Sequence, residues 1–176
     1  MVEFNSLSTV KFQHKLKPAA ENIYRRLFGA DSYVEDLREQ GFKVHVLDQE
    51  FGIDCLLHLK SQQWISIQEK YRSNFHLKRY GDFTQEYMNA CGTQNENKGE
   101  WFKLGAQLYF YGWSNTDETD FEKWFIMHIS RYKLLIESLG GLSAVGRLQQ
   151  NNKHGRASFY SIPLKVLKPV ILKSNF

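Results

Sequence analysis

Two cysteines and three prolines in 176 residues remove several classes of protein at once. Cys55 and Cys91 are too few for a disulfide framework and too unpatterned for a zinc site, which points to a reducing, cytoplasmic compartment. Cys55 reads as a small buried hydrophobe; a nucleophile would need a base, and His58 is out of phase with it. No apolar run approaches the roughly 20 residues that span a bilayer, and residues 1–17 are polar and lack the apolar core of a signal peptide. The expectation is a protein inside the cell without a membrane partner. No repeat, low-complexity segment or linker divides the chain, so residues 1–176 are expected to form one domain with a core of its own. Acids are the minority charge, 19 against 23 Lys and Arg, giving a net charge of +4. That balance permits nucleic-acid binding without requiring it.

What is present is patterned apolar residues and many aromatics. Residues 18–28 read as a helix, and 31–40 as a second, capped by Asp31 or Ser32 and stopped by Gly41. Strands are expected over 42–47, 52–59 and 64–72, then a helix over 83–91 capped by Asp82 and a polar loop over 92–99. Residues 107–113 and 121–129 read as paired strands around an acidic loop, 130–139 as a helix ended by Gly140-Gly141, and 157–164 as a last strand. The aromatic residues Trp101, Phe102, Tyr109, Phe110, Tyr111, Trp113, Trp124 and Phe125 alternate as core residues do. The fold class is α/β or α+β, a mixed central sheet flanked by helices.

Chemistry concentrates in the hairpin over 52–72. Side chains alternate along a strand, so Asp54, Leu56 and His58 share one face, and Trp64, Ser66, Gln68 and Lys70 share another. A loop over 61–63 would set Leu56 opposite Gln68 and Asp54 opposite Lys70. A carboxylate, an amide oxygen and an ammonium then converge on one surface suited to a divalent metal and a phosphate. Mg²⁺ takes hard oxygen ligands and keeps several waters, so one carboxylate, one amide or backbone carbonyl and a phosphate oxygen suffice. Lys70 would orient water or stabilise developing negative charge. Strand alternation sends the Glu69 side chain to the opposite face. An ordinary polar strand face with Asp54 closing a turn after Gly52 is the plainer account of the same residues.

Gly52-Ile53-Asp54 followed by Gln68-Glu69-Lys70 and Tyr71-Arg72 resembles the core of the PD-(D/E)xK nuclease superfamily. With Gln in the first acidic position it is similar to the Gln-x-Lys variant of methyl-directed restriction endonucleases and Holliday-junction resolvases. The resemblance covers less than half of the chain. It implies a restriction-endonuclease-like sheet, a Mg²⁺- or Mn²⁺-dependent deoxyribonuclease, and DNA as partner, with pairing of two copies left open. Catalysis would rest on Asp54, Gln68 and Lys70, with the metal held by Asp54, Gln68 and the Glu69 backbone carbonyl. Glu21, Glu35, Asp48 and Glu50 are candidates for an additional acid, and Glu86 is one that would point back from its helix. Arg72, His76, Lys78 and Arg79 follow the motif directly, where a phosphate backbone would pass. The other basic groups, Lys15-Leu16-Lys17, Arg25-Arg26 and Lys153-His154-Gly155-Arg156, read as solvated faces. Two alternatives stand beside the nuclease: a degenerate member of the fold that binds nucleic acid or protein without cutting, and an unrelated α/β protein.

Overall fold

A computed structural model describes residues 8–37, 42–151 and 156–176, with the side chains of 8–9 and 42–45 outside the description. Gly41, the end of the helix expected over 31–40, and Lys153-His154-Gly155 lie outside the described residues. Helix α1 (Ser8–Phe28) leads into strand β1 (Tyr33–Asp36), helix α2 (Phe42–Phe51), and strands β2 (Cys55–His58) and β3 (Trp64–Arg72). A short helix α3 (Asn74–Arg79), strands β4 (Phe83–Asn89) and β5 (Asn97–Lys98), and a helical turn α4 (Glu100–Lys103) precede β6 (Leu108–Ser114) and β7 (Phe121–His128). Then come α5 (Ile129–Ser138), α6 (Leu142–Val145), β8 (Arg147–Gln150), β9 (Ser158–Ile162), α7 (Leu164–Leu167) and β10 (Ile171–Ser174).

The strands form a six-stranded mixed sheet, β1-β2-β3-β6-β7-β10, and a four-stranded antiparallel sheet, β5-β4-β9-β8. Only the β3–β6 pair runs parallel among the described strands. A parallel return needs a long crossover, and here residues between β3 and β6 supply α3, α4 and two strands of the second sheet. Helix α1 buries Leu16, Ala19, Ala20, Ile23 and Tyr24, a stripe at helical spacing. That stripe packs with Cys55, Leu57, Ile67 and Phe110 on one face of the large sheet. The other face contributes Tyr109, Tyr111, Phe125 and Met127 to a second core with Phe83 and Ile162 of the small sheet and Tyr132 and Ile136 of α5. Covered on both faces, β6 is buried at every position, which explains its nearly unbroken apolar run. None of the described helices is long and apolar enough to cross a membrane.

Three expected elements are corrected. Residues 33–36, read as part of a helix, form β1, paired antiparallel with β2 through Tyr33↔His58 to Asp36↔Cys55. Ser32 bonds the Gly29 carbonyl through its hydroxyl rather than capping a helix. Residues 42–47, read as a strand, lie in helix α2. Alternating Phe42, Val44 and Val46 imitate a strand, but Gly52 at φ +55° stops a helix, its N–H bonding the Asp48 carbonyl. Residues 83–89, read as a helix, form β4, where Phe83 and Gln85 are buried and pair across to Ile162 and Tyr160. Asp82 accepts a hydrogen bond from the Ser161 hydroxyl instead of capping. The loop over 92–99 contains β5, and β8 and β10 were not anticipated.

Candidate active site

Asp54 stands immediately before β2, fixed by its own backbone. Its N–H donates to the Ile67 carbonyl at 3.0 Å, and its carbonyl accepts from the Leu37 N–H at 3.1 Å. The hairpin register differs by two residues from expectation: His58 pairs with Trp64 and Cys55 with Ile67. Leu59 and Gln63 close the turn through a hydrogen bond of 2.8 Å, with Gln62 at φ +63° inside it. Asp54 therefore faces Gln68 rather than Lys70, and Leu56 faces Ser66. A shift of two preserves which face each residue occupies, so Asp54, Gln68 and Lys70 remain on one side of the sheet.

The Asp54 carboxylate accepts at one oxygen, Oδ2, from the Gln68 amide Nε2 at 2.8 Å and from the Glu69 backbone N–H at 2.6 Å. Asp54 and Gln68 are only 5% and 7% exposed. Lys70 Nζ donates to Glu100 Oε2 at 2.7 Å. The other oxygen of Glu100 accepts from Gln85 Nε2 at 2.9 Å and from the Tyr109 hydroxyl. Gln85 in turn accepts from the Tyr132 hydroxyl at 3.2 Å. Burial, reinforced by the Glu100 charge, pushes the Tyr109 hydroxyl well above its ordinary pKa, so it stays a neutral donor. Glu100 thus holds the Lys70 ammonium from a carboxylate anchored by two neutral donors.

The Glu69 side chain does turn to the opposite face. There its carboxylate accepts from the Lys17 ammonium and the Tyr24 hydroxyl, each at 2.8 Å. Lys17 also pairs with Asp36 at 3.1 Å. This cluster under α1 fixes the phase of β3, and with it the side on which Gln68 and Lys70 emerge.

Whether these residues suit a divalent cation turns on Gln68. Its Oε1 is buried with no hydrogen-bond partner among the described residues, a costly arrangement for an amide oxygen. It sits against Gly52, where an added Cβ would lie 2.9 Å from Oε1 and 3.3 Å from the Lys103 carbonyl oxygen. With nitrogen turned to Asp54, the amide is in the orientation that needs no cation. Turned over, it would set an amide oxygen beside the Asp54 carboxylate, a hard-oxygen pair of the type Mg²⁺ takes, and free its NH₂ to seek an acceptor. In that orientation the donor set would fit, with Asp54 as its anion and Gln68 and the Glu69 carbonyl as neutral oxygens. No group of three His, Cys, Asp or Glu side chains among the described residues is placed to hold a metal ion, so the neutral oxygens and waters would have to complete the shell.

The proposed extra acids lie on other elements. Glu21 is 3.8 Å from Arg25 on α1. Glu35 contacts His58 Nε2 at 2.6 Å on the β1–β2 edge. Asp48 and Glu50 sit in the last turns of α2, with Glu50 exposed. Glu86 is on strand β4, not a helix, and lines a cleft beyond Arg72. Of the expected nucleic-acid residues, Arg72 and His76 line that cleft. Lys78 and Arg79 are exposed on α3, the Arg79 guanidinium lying over the rings of Phe75 and Tyr80 at 5.7 and 5.3 Å. Glu100, Gln85 and Tyr109 complete the cluster although sequence reasoning did not select them; an acid just after the Gly92–Gly99 loop was the signal within reach. Comparison with family models, with curated proteins and with solved structures finds no match to this chain.

Proposed function

We propose that this protein is a divalent-metal-dependent endonuclease that hydrolyses DNA phosphodiester bonds from Asp54, Gln68 and Lys70, on a restriction-endonuclease-like sheet. The observation that carries the reading is the contact of Asp54 with Gln68 across β2 and β3, with Lys70 one alternation further on the same face. The sheet order β1-β2-β3-β6, with α1 before it and α3 after β3, is what supports the PD-(D/E)xK resemblance, from which helix α2 between β1 and β2 departs. Asp54 would be the anionic ligand, joined by the Gln68 Oε1 after the amide turns over and by the Glu69 carbonyl. When bound, the metal supplies a Lewis acid and a more acidic water. Lys70, oriented by Glu100, would place that water or neutralise charge on the phosphate oxygens. A second reading, a member of the fold that binds DNA without cutting, draws on the neutral Gln68 and on Asp54 Oδ2 already receiving two N–H donors. Incubation with supercoiled plasmid, single-stranded DNA and RNA in Mg²⁺, Mn²⁺ or EDTA separates them. Metal-dependent nicking supports the nuclease, DNA retention without nicking supports the second reading, and a protein that neither nicks nor retains DNA overturns both.

A further inference from the structure

Beyond Lys70 the same face of β3 runs into a cleft of about 480 Å³ between the large sheet and the small one. Arg72 enters it from β3, His76 and Tyr80 from α3 and its end, Glu86 from β4, and Gln149 and Phe159 from β8 and β9. Arg72 is fixed there by two neutral hydroxyls, donating from Nη2 to Thr84 at 2.6 Å and from Nε to Tyr111 at 3.3 Å. No carboxylate pairs with this guanidinium among the described residues. A half-buried, preorganised cation whose hydrogen bonds go only to neutral hydroxyls, with the Glu100 charge acting on it from outside contact, is suited to an anion, and a guanidinium suits a phosphate in particular.

The rest of the lining does not resemble a simple phosphate site. The side chains of Glu86 and Gln149 make no hydrogen bond or ion pair among the described residues, leaving an acceptor and an amide open to a ligand. Tyr80, 57% exposed, and the half-buried Phe159 offer aromatic faces. Aromatic faces beside hydrogen-bonding groups and a cation are what a base and its phosphate require. Arg72 lies two residues past Lys70, about 7 Å along a strand, comparable with about two steps of 3.4 Å along one DNA strand.

We propose that this cleft is a single-nucleotide subsite, taking a phosphate at Arg72 and an adjacent base among Tyr80, Phe159, Gln149 and Glu86. The inference rests on the nuclease reading for its biological use, as the place where a nucleotide near the cut is held out of the strand. As a Glu86 carboxylate only accepts hydrogen bonds, the subsite favours a base with adjacent N–H donors, as on the Watson–Crick edge of guanine.

The test uses no metal and no cleavage, so it stands or falls apart from the nuclease reading. Full-length protein in EDTA is titrated with GMP, UMP and inorganic phosphate, observed by amide and His76 ring NMR signals. GMP is expected to saturate, with shifts at Gln149 and His76, and to bind about tenfold more tightly than UMP, the effect of about 1.4 kcal/mol. Glu86→Gln should erase the preference for GMP while retaining binding, and Arg72→Met should weaken GMP and UMP alike. Should Arg72→Met not fold, Glu86→Gln and the phosphate comparison still decide. Absence of saturable shifts with millimolar GMP would overturn the proposal. So would GMP shifts no different from those of inorganic phosphate, or an undiminished GMP preference in Glu86→Gln.

Discussion

Lys17→Met tests the cluster that sets the phase of β3. The Glu69 side chain is 1% exposed and Lys17 12%, with Nζ 2.8 Å from Glu69 and 3.1 Å from Asp36. Methionine keeps most of the stem volume and removes the cation, leaving a buried carboxylate beside the Tyr24 hydroxyl. Breaking a buried pair from one side costs about 3–5 kcal/mol. For a chain of this size that is roughly a 6–20 °C fall in Tm at about 2–4 °C per kcal/mol. In the variant, loss of the Lys17 charge raises the pKa of the buried Glu69 carboxyl relative to the parent. Relative to the parent, a raised folded-state carboxyl pKa costs stability where the group is ionised, and that cost fades as pH falls and the carboxyl is protonated. The deficit against the parent should therefore be largest near neutrality and shrink towards pH ~4. Urea unfolding of the parent, Lys17→Met and Lys17→Met/Glu69→Gln at several pH values is the assay. The double variant should recover most of the loss at neutral pH. A single variant within about 1 kcal/mol of the parent, or a deficit that grows in acid, would refute the reasoning.

Gly52→Ala should cost stability and disturb the site together, because φ is +55° and the new Cβ would lie 2.9 Å from Gln68 Oε1; thermal melts and metal titration of the same sample report both. Gln68→Glu should tighten Mn²⁺ binding by adding a negative charge, whereas Gln68→Leu should abolish it, as followed by calorimetry. His76 should titrate below the ordinary imidazole range because burial, and then the Arg72 charge, disfavour the imidazolium. An NMR titration that leaves His76 at its ordinary value would contradict that environment. Glu100→Gln should leave metal binding nearly unchanged and lower the cleavage rate, because it loosens Lys70 rather than a ligand; an equal loss of both would place Glu100 on the ion.

Strands β3, β6 and β7 and helix α5 were legible because their side chains alternate or repeat in ways that burial enforces. The stretch between α1 and Asp54 was misread because Phe42, Val44 and Val46 alternate within a helix, while the short edge strand Tyr33–Asp36 has little apolar signal of its own. Asp82 before Phe83 imitated a helix cap, and pairing with β9 and β5 selects the strand. At the site, parity alone placed Asp54, Gln68 and Lys70 on one face. The pairing partner of Asp54 was not legible, because a turn without Asn-Gly does not fix its own register. Glu100 meets Lys70 from 30 residues away, a contact created by the crossover and invisible to local pattern.

The most direct measurement is the plasmid-nicking rate of Asp54→Asn against the parent in Mg²⁺, with folding of the variant verified by its melt. Asparagine keeps an oxygen that can accept from Glu69 N–H, which Asp54 now satisfies at 2.6 Å, while removing the anionic ligand. Metal-dependent nicking by the parent and a loss of at least about a hundredfold in the variant are expected. Parent-like nicking by well-folded Asp54→Asn would contradict that expectation.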